Sequence, residues 1–346
     1  MSNYRSIQIH LLMDTKRQKL EMLQICTHSG PFHADESLAV YMLRLLPKFK
    51  DAKVVRSRNP EDWEASDIVV DVGAKYDGVK FFDHHQREFF ETFNGEYATK
   101  LSSAGLVYKH FGREIITAIV ENKGASISSA DLDILYDKVY KQFIEALDAN
   151  DNGIDKYENS KELTPKFKDN AISIPGVISG MNPSWNADTS AEAYDTNFQR
   201  ASKFIGEIFV DLVEGYALSW IPAKSLVIEA VNRRSEVDDS GKIIVLNQFC
   251  PWKEHLYEVE KAKGIEGQIE FVLFKDSSNT WRVSTVPVSS TSFQFRKGLP
   301  EHLRGLRDQE LSDKSGVPDC VFIHAAGFIG GAKTQDSVYK LAKMSL

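Results

Sequence analysis

The chain is poor in cysteine, has no long apolar stretch and carries no excess of positive charge. Its three cysteines, Cys26, Cys250 and Cys320, are an odd, scattered set with no CxxC pair. That excludes a disulfide framework and suits a reducing compartment, not secretion. No window approaches the roughly 18 uncharged apolar residues of a membrane-spanning helix. With 42 Lys and Arg against 49 Asp and Glu the net charge is -7, so the chain as a whole is not a polyanion binder. Nucleic acid would have to be held by a local basic patch or through bound metal. Gly (21) and Pro (11) are not enriched, and 42% of residues are hydrophobic, which excludes collagen-like and disordered classes. A length of 346 residues exceeds one ordinary compact domain and suits two.

What is present reads as an α/β chain. Leu23 to Thr27, Val54-Val55, Asp67 to Val72 and Val79 to Asp83 read as short apolar strands, and Ala34 to Leu46 between the first two has helical spacing, stopped by Pro47. Nearly continuous Ile/Val strands separated by helices are what a parallel sheet covered on both faces requires. Ser102 to Phe111 reads as a helix closed by Gly112, and Ser129 to Ala149 as a long amphipathic helix. Tyr157 to Asn197 is rich in Asn, Ser, Pro and Lys and reads as an ordered loop, leading to a connecting helix over Ala201 to Leu218. Strands at Ile243 to Leu246, Ile269 to Phe274, Trp281 to Val286 and Cys320 to His324, with a closing helix at Gln335 to Leu346, give a mixed α+β second region. The expected division is an extension over 1–22, a metal-binding catalytic domain over 23–190 and a substrate-binding domain over 191–346, with the active-site cleft between the last two.

The extension is acid-poor up to Asp14 and weakly amphipathic, as transit peptides are. Initiation at Met13 or Met22 would remove it and leave the first strand intact. Two destinations are therefore expected, the mitochondrial matrix and the nucleus or cytoplasm.

Four clusters carry ionisable side chains just beyond an expected strand or helix: His28-Ser-Gly-Pro-Phe-His33-Ala-Asp35-Glu36, Asp71-Val-Gly73, Asp83-His84-His85 and Asp148-Ala-Asn-Asp151-Asn-Gly153. In an open α/β sheet the carboxyl ends of strands converge on one crevice. His28, His33 and His84 would bring imidazoles there, and Asp35, Asp71 and Asp148 carboxylates. Crowded carboxylates resist ionising unless a cation sits among them. Mixed Asp and His without thiolate favours Mn²⁺ or Mg²⁺ over structural zinc. Taken singly, Asp35 would pass for a helix cap and Asp151-Asn-Gly153 for a turn. Asp83-His84-His85 has no structural purpose that Ser or Asn would not serve.

The order His-x4-His-x-Asp, strand-end Asp, Asp-His-His and a later Asp resembles the DHH phosphoesterase superfamily. Thr27-His-Ser-Gly-Pro-Phe-His-Ala-Asp-Glu36, Phe82-Asp-His-His-Gln-Arg87, Thr99-Lys-Leu-Ser-Ser-Ala-Gly-Leu-Val-Tyr108, Asp148-Ala-Asn-Asp-Asn-Gly153 and Phe322-Ile-His-Ala-Ala-Gly-Phe-Ile-Gly-Gly331 narrow the resemblance to the melanocyte-proliferating-gene family of DHH-like exonucleases. It runs from about Ile25 to the C-terminus. The resemblance implies a 3′-to-5′ RNA exonuclease of nucleus and mitochondria with two divalent ions. Carried over by position, His28, His33 and Asp71 hold one ion. Asp35, Asp71, His84 and Asp148 hold the other, with Asp151 as the alternative to Asp148. His33 stands where the wider superfamily has Asp, which leaves more positive charge for substrate.

In that scheme His85 contacts the scissile phosphate or protonates the leaving oxygen, and Asp83 orients the His pair. Arg87 reads equally as a phosphate contact or a solvated side chain, and Glu36 as a first-turn helix residue. Arg296, Lys297, Arg304 and Arg307 form the densest basic patch, suited to the backbone of single-stranded RNA or a short oligonucleotide. By analogy with the superfamily, His324, Gly330 and Gly331 bind substrate in a strand-to-loop element. Two other readings compete: a small-nucleotide phosphohydrolase, and a regulatory protein with a vestigial metal site.

Overall fold

The structure, a computed structural model, describes residues 22–159 and 162–346; the extension expected to carry targeting information lies outside them, apart from Met22. The chain divides into two compact units, the first ending at Glu214 and the second spanning Gly215–Leu346. The expected boundary near residue 190 therefore falls too early.

The first unit runs β1 (Gln24–Thr27), α1 (Ala34–Leu45), β2 (Lys53–Arg56), α2 (Pro60–Ala65), β3 (Ile68–Val70) and β4 (Phe81–Phe82). Helices α3 (Ser103–Asn122) and α4 (Ser129–Val139) follow, then a π-helical turn at Tyr140–Ile144, α5 (Glu145–Asp151), α6 (Ile174–Ser179) and α7 (Ala191–Gly215). The four strands pair in the order β2-β1-β3-β4, all parallel. Ile25, Cys26, Ile68, Val69 and Val70 are fully or almost fully buried, as a parallel sheet demands of its strands.

Two helices depart from expectation. Gly112 does not end α3, which continues ten residues beyond it to Asn122. A Cβ there would lie 2.8 Å from the Tyr136 ring, so this glycine admits α4 rather than capping α3. Helix α7 begins ten residues before the expected Ala201, and its Phe198, Ala201, Ile205 and Phe209 are buried in the first unit. That packing moves the boundary to Gly215, where a second π-helical turn, Tyr216–Trp220, begins. A Cβ on Gly206 would collide with the base of the Tyr41 ring. Ala would gain about 1 kcal/mol of helix propensity there, but the ring root cannot swing aside and overpacking outweighs the gain. Gly206→Ala should destabilise the protein by about 1–3 kcal/mol, read from the denaturant midpoint.

The second unit holds α8 (Ile221–Asn232), α9 (Arg234–Val237), β5 (Ile243–Val245), α10 (Lys253–Lys263), β6 (Phe271–Lys275) and β7 (Trp281–Thr285). It closes with α11 (Asp308–Ser315), β8 (Cys320–Ile323), β9 (Ile329–Ala332) and α12 (Gln335–Lys343). Its sheet order is β5-β6-β7-β9-β8, with only β5 and β6 parallel. The mixed α+β character expected for this region is what the structure shows.

Candidate metal centre

In the first sheet the chain leaves β1 for β2 on one side, and β3 then pairs with β1 on the other. That reversal opens a crevice at the carboxyl ends of β1 and β3. His28 follows β1 and Asp71 follows β3. Asp71 adopts a left-handed backbone, φ 54°, followed by Gly73 at 97° and Ala74 at 49°. Asp tolerates this region better than most residues because its side chain is short and polar. The reversal brings the Ala74 N–H to Asp83, which it reaches at 2.6 Å.

The carboxylate of Asp71 faces two ways. Its Oδ2 lies 3.3 Å from His28 Nε2, and its Oδ1 lies 3.5 Å from both His84 Nε2 and His85 Nδ1. His28 Nε2 also lies 3.1 Å from Glu36 Oε1, and His84 Nε2 lies 3.0 Å from Asp151 Oδ2. Three groups of potential ligands result: His28, His33, Glu36 and Asp71; Asp71, His84 and His85; and Asp35, His84 and Asp151. Of these, His28, His33, Asp35, Asp71, His85 and Asp151 line a pocket of about 1080 Å³ formed wholly by the first unit, with Arg58 and Trp63 beside them.

Asp35 shows how the donor set fits a cation. Its side chain is buried, at 1% exposure, and neither carboxylate oxygen has a hydrogen-bond partner. A carboxylate so placed is costly unless a cation compensates it. Burial raises its pKa well above the ordinary value, and Asp71, Asp151 and Glu36 add to the rise. Burial disfavours charge on His28, yet Asp71 and Glu36 outweigh it and push the imidazole up to about 9. His84 rises to about 10 in the same way, against burial, through Asp151 and Asp71. Asp71 is held below the usual carboxylate range because His28 and His84 overcome its burial. Without a cation, then, the cluster gathers protons onto its own imidazoles. Oxygen and imidazole donors with an orphaned carboxylate fit a hard divalent ion.

His85 is the exposed member. Its Nδ1 sits 2.7 Å from Asp83 Oδ1, and its backbone N–H donates to the same oxygen at 3.1 Å. Asp83, buried at 1% exposure, thereby fixes the ring, and its hydrogen bond raises the His85 pKa.

Several expected positions change. Asp148 does not face the pocket. It accepts hydrogen bonds from Ser102 N–H at 3.0 Å, Ser102 Oγ at 2.7 Å and Tyr140 Oη at 3.2 Å, and a Cβ on Gly105 would strike its carboxylate. Burial pushes it up to about 7, opposed by those donors. The alternative, Asp151, is the one beside His84. Glu36 belongs to the ligand group as well as to the helix start, where its Oε1 accepts the His33 N–H at 2.8 Å. Asp148→Ala should therefore cost about 3 kcal/mol or more, because three buried donors lose their acceptor. Asp151→Asn should weaken Mn²⁺ binding more than tenfold by equilibrium dialysis.

In the second unit Arg296 is held in place by an acid. Its two Nη atoms donate to Glu260 at 2.7 Å each, and Nη1 also reaches Ile269 O at 2.7 Å. That buried pair takes it out of the basic patch. Arg304 Nε donates to Leu299 O at 3.0 Å, and the Arg307 guanidinium lies over the Phe322 ring. Gly330 and Gly331 sit inside β9 rather than in a loop. A Cβ on Gly331 would lie 2.9 Å from the Phe322 ring, and one on Gly330 3.2 Å from Phe322 O. Strand packing accounts for both. His324 begins the turn between β8 and β9, with Nδ1 accepting the Ala326 N–H at 3.1 Å.

Among the pocket residues that carry no motif in the sequence are Arg58, two residues past the end of β2, and Trp63, within α2; the strand end before them was the available signal.

The family model MYG1_exonuc, described as "Uncharacterised protein family (UPF0160)", matches residues 24–346. The chain is 74% identical over 325 residues to the MYG1 protein YER156C of Saccharomyces cerevisiae, covering 93% of this chain and 95% of that one. It is 42% identical over 342 residues to the MYG1 exonuclease of Homo sapiens, covering 96% and 88%. Among solved structures, RecJ of Thermus thermophilus in complex with Mn²⁺ aligns at 14% identity and a TM-score of 0.21, over 97% of this chain and 52% of that one. A likeness so slight establishes no shared topology.

Proposed function

The chain belongs to the MYG1 exonuclease family, and from that premise we propose that it is a metal-dependent phosphodiesterase that removes nucleotides from the 3′ end of RNA. The observation that carries the metal requirement is the buried Asp35 carboxylate, both of whose oxygens lack a partner beside His84 and Asp151. His28, His33, Glu36 and Asp71 would hold one divalent ion, Mn²⁺ or Mg²⁺. Asp35, His84 and Asp151 would hold a second, with Asp71 shared. Divalent ions held by these residues would supply an activated water near neutral pH and charge neutralisation for a phosphoryl group. The protein's own part is positional and protic. Asp71 presents one oxygen to each side of the cluster. Asp83 pins His85 by Nδ1 and keeps it more readily protonated, so the other ring nitrogen can give a proton to the leaving oxygen. Arg304, Arg307 and His324 remain proposed substrate contacts of the second unit. The matrix together with nucleus or cytoplasm remains the proposed location.

The full chain with 5′-labelled and 3′-labelled single-stranded RNA, in Mn²⁺, Mg²⁺ or EDTA, tests the activity. A ladder of 5′-labelled intermediates with metal, and none in EDTA, is expected. Turnover of mononucleotide phosphates alone would replace this reading with a small-nucleotide phosphohydrolase.

A further inference from the structure

We propose that Arg58, on the connection between β2 and α2, and Trp63, within α2, form the subsite for the nucleotide at the scissile phosphate: Arg58 grips the phosphate and the Trp63 ring stacks on the base. The proposal rests on the nuclease reading above and extends it by naming how a nucleotide is recognised in the same pocket.

Both side chains line the pocket together with His28, Asp71 and His85. The connection that carries them is stiff. Ser57 Oγ donates to Asp62 at 2.5 Å, Asn59 caps the helix by accepting the Glu61 N–H at 3.2 Å, and Pro60 opens the first turn. Trp63 Nε1 donates to Ser57 O at 3.1 Å, which fixes the plane of the indole. Part of the ring packs on the turn after Asp71, where Gly73 has no side chain; a Cβ there would sit 3.4 Å from Trp63 Cε3. The half-buried side chain packs against the cluster of Cys26, Val69, Val72 and Phe81 on one side and also lines the pocket. A fixed indole beside a phosphodiester centre is a stacking platform, and stacking accepts every base.

Arg58 is the matching cation. Its Nε donates to Ser29 O at 3.2 Å, and its Nη2 lies 3.2 Å from His28 Nδ1. His28 turns Nε2 to the carboxylates and has Nδ1 3.3 Å from Ser29 O. The Arg58 Nη1 has no hydrogen-bond partner among the described residues, and the side chain is exposed. Among the described residues no carboxylate pairs with Arg58, whereas Arg56, two residues earlier, is paired with Asp195. An exposed guanidinium edge on this wall matches two phosphate oxygens.

Calorimetric titration of the full chain in Mn²⁺ with AMP, ribose 5-phosphate and inorganic phosphate tests both halves. Wild type should bind AMP about 5- to 150-fold more tightly than ribose 5-phosphate. Trp63→Ala should erase that gap and Trp63→Phe should keep most of it. Arg58→Ala should weaken AMP and ribose 5-phosphate alike by about tenfold or more at saturating Mn²⁺, with Arg58→Lys intermediate. Melting curves report whether each variant folds. No gap in wild type, or variants that bind like wild type, overturns the subsite. Wild type that trims RNA but shows no gap removes the subsite alone, and wild type that shows the gap but cuts no RNA removes the nuclease reading alone.

Discussion

Asp71→Asn should lower the proposed metal-dependent RNA cleavage about a thousandfold or more without disturbing the fold. The substitution keeps the side-chain volume, and Asn accepts the left-handed backbone that Asp71 occupies at φ 54°, where Ala would add strain. What it removes is a charge. The Asp71 oxygens stand 3.3 Å from His28 and 3.5 Å from His84, so one carboxylate serves both halves of the cluster. Metal-supplied stabilisation of several kcal/mol, at about 1.36 kcal/mol per factor of ten, sets the size of the loss. Single-turnover cleavage at saturating Mn²⁺, alongside equilibrium dialysis of the metal, measures it. An Asn variant with wild-type turnover would remove the centre from the chemistry.

The second large effect is on stability and has the opposite sign to most core substitutions. Asp35→Asn should stabilise the chelated protein at neutral pH. In the folded, metal-free chain, burial and three neighbouring carboxylates raise the Asp35 pKa above its ordinary 3.8. A raised carboxyl is most favourable to folding below about pH 4, where it is protonated in both states. Its contribution is lost as pH rises through the folded-state value, because folding then opposes ionisation. The amide variant escapes that penalty, so the two proteins should melt alike near pH 3.5 and diverge by pH 7.5. Mn²⁺ reverses the order. At about 100 times its Kd it adds about 2.7 kcal/mol to wild type, and most of that should vanish in Asp35→Asn. Melting curves in EDTA and in Mn²⁺ at both pH values test this; a variant less stable than wild type in EDTA at pH 7.5 would contradict it.

The parallel sheet was legible because strands buried on both faces have to be apolar throughout, and Ile68, Val69 and Val70 are. The convergence of His28, Asp71 and His84 followed from that sheet, since strand ends meet wherever parallel strands share a crevice. Choices within a helix turn were harder to read. Asp148 and Asp151 lie on the same helix, and which one faces the pocket depends on register that the intervening π-helical turn alters. Glu36 looked like a residue complementing the helix dipole because the N-terminal turn of α1 is where acids are favoured in any case. The basic patch misled for another reason. Sequence proximity of Arg296 to Arg304 and Arg307 says nothing of Glu260, thirty-six residues away, which takes the first of them. Gly112 shows the same limit, since the ring it accommodates belongs to α4.

The π-helical turn at Tyr140–Ile144 carries a consequence for how this chain can change over time. Such a turn holds one residue more than a regular α-helical turn. Deleting a single residue from it would restore ordinary winding, and local helix preference would favour the repair. Four residues wound at about 100° each turn nearly as far as the five now in the wider turn, so Asp148 and Asp151 would stay close to their present faces. Rewinding all five residues as ordinary α-helix, by contrast, would turn the positions beyond them by about 100° and carry Asp151 off the pocket wall, so the wide turn is what sets Asp151 against His84.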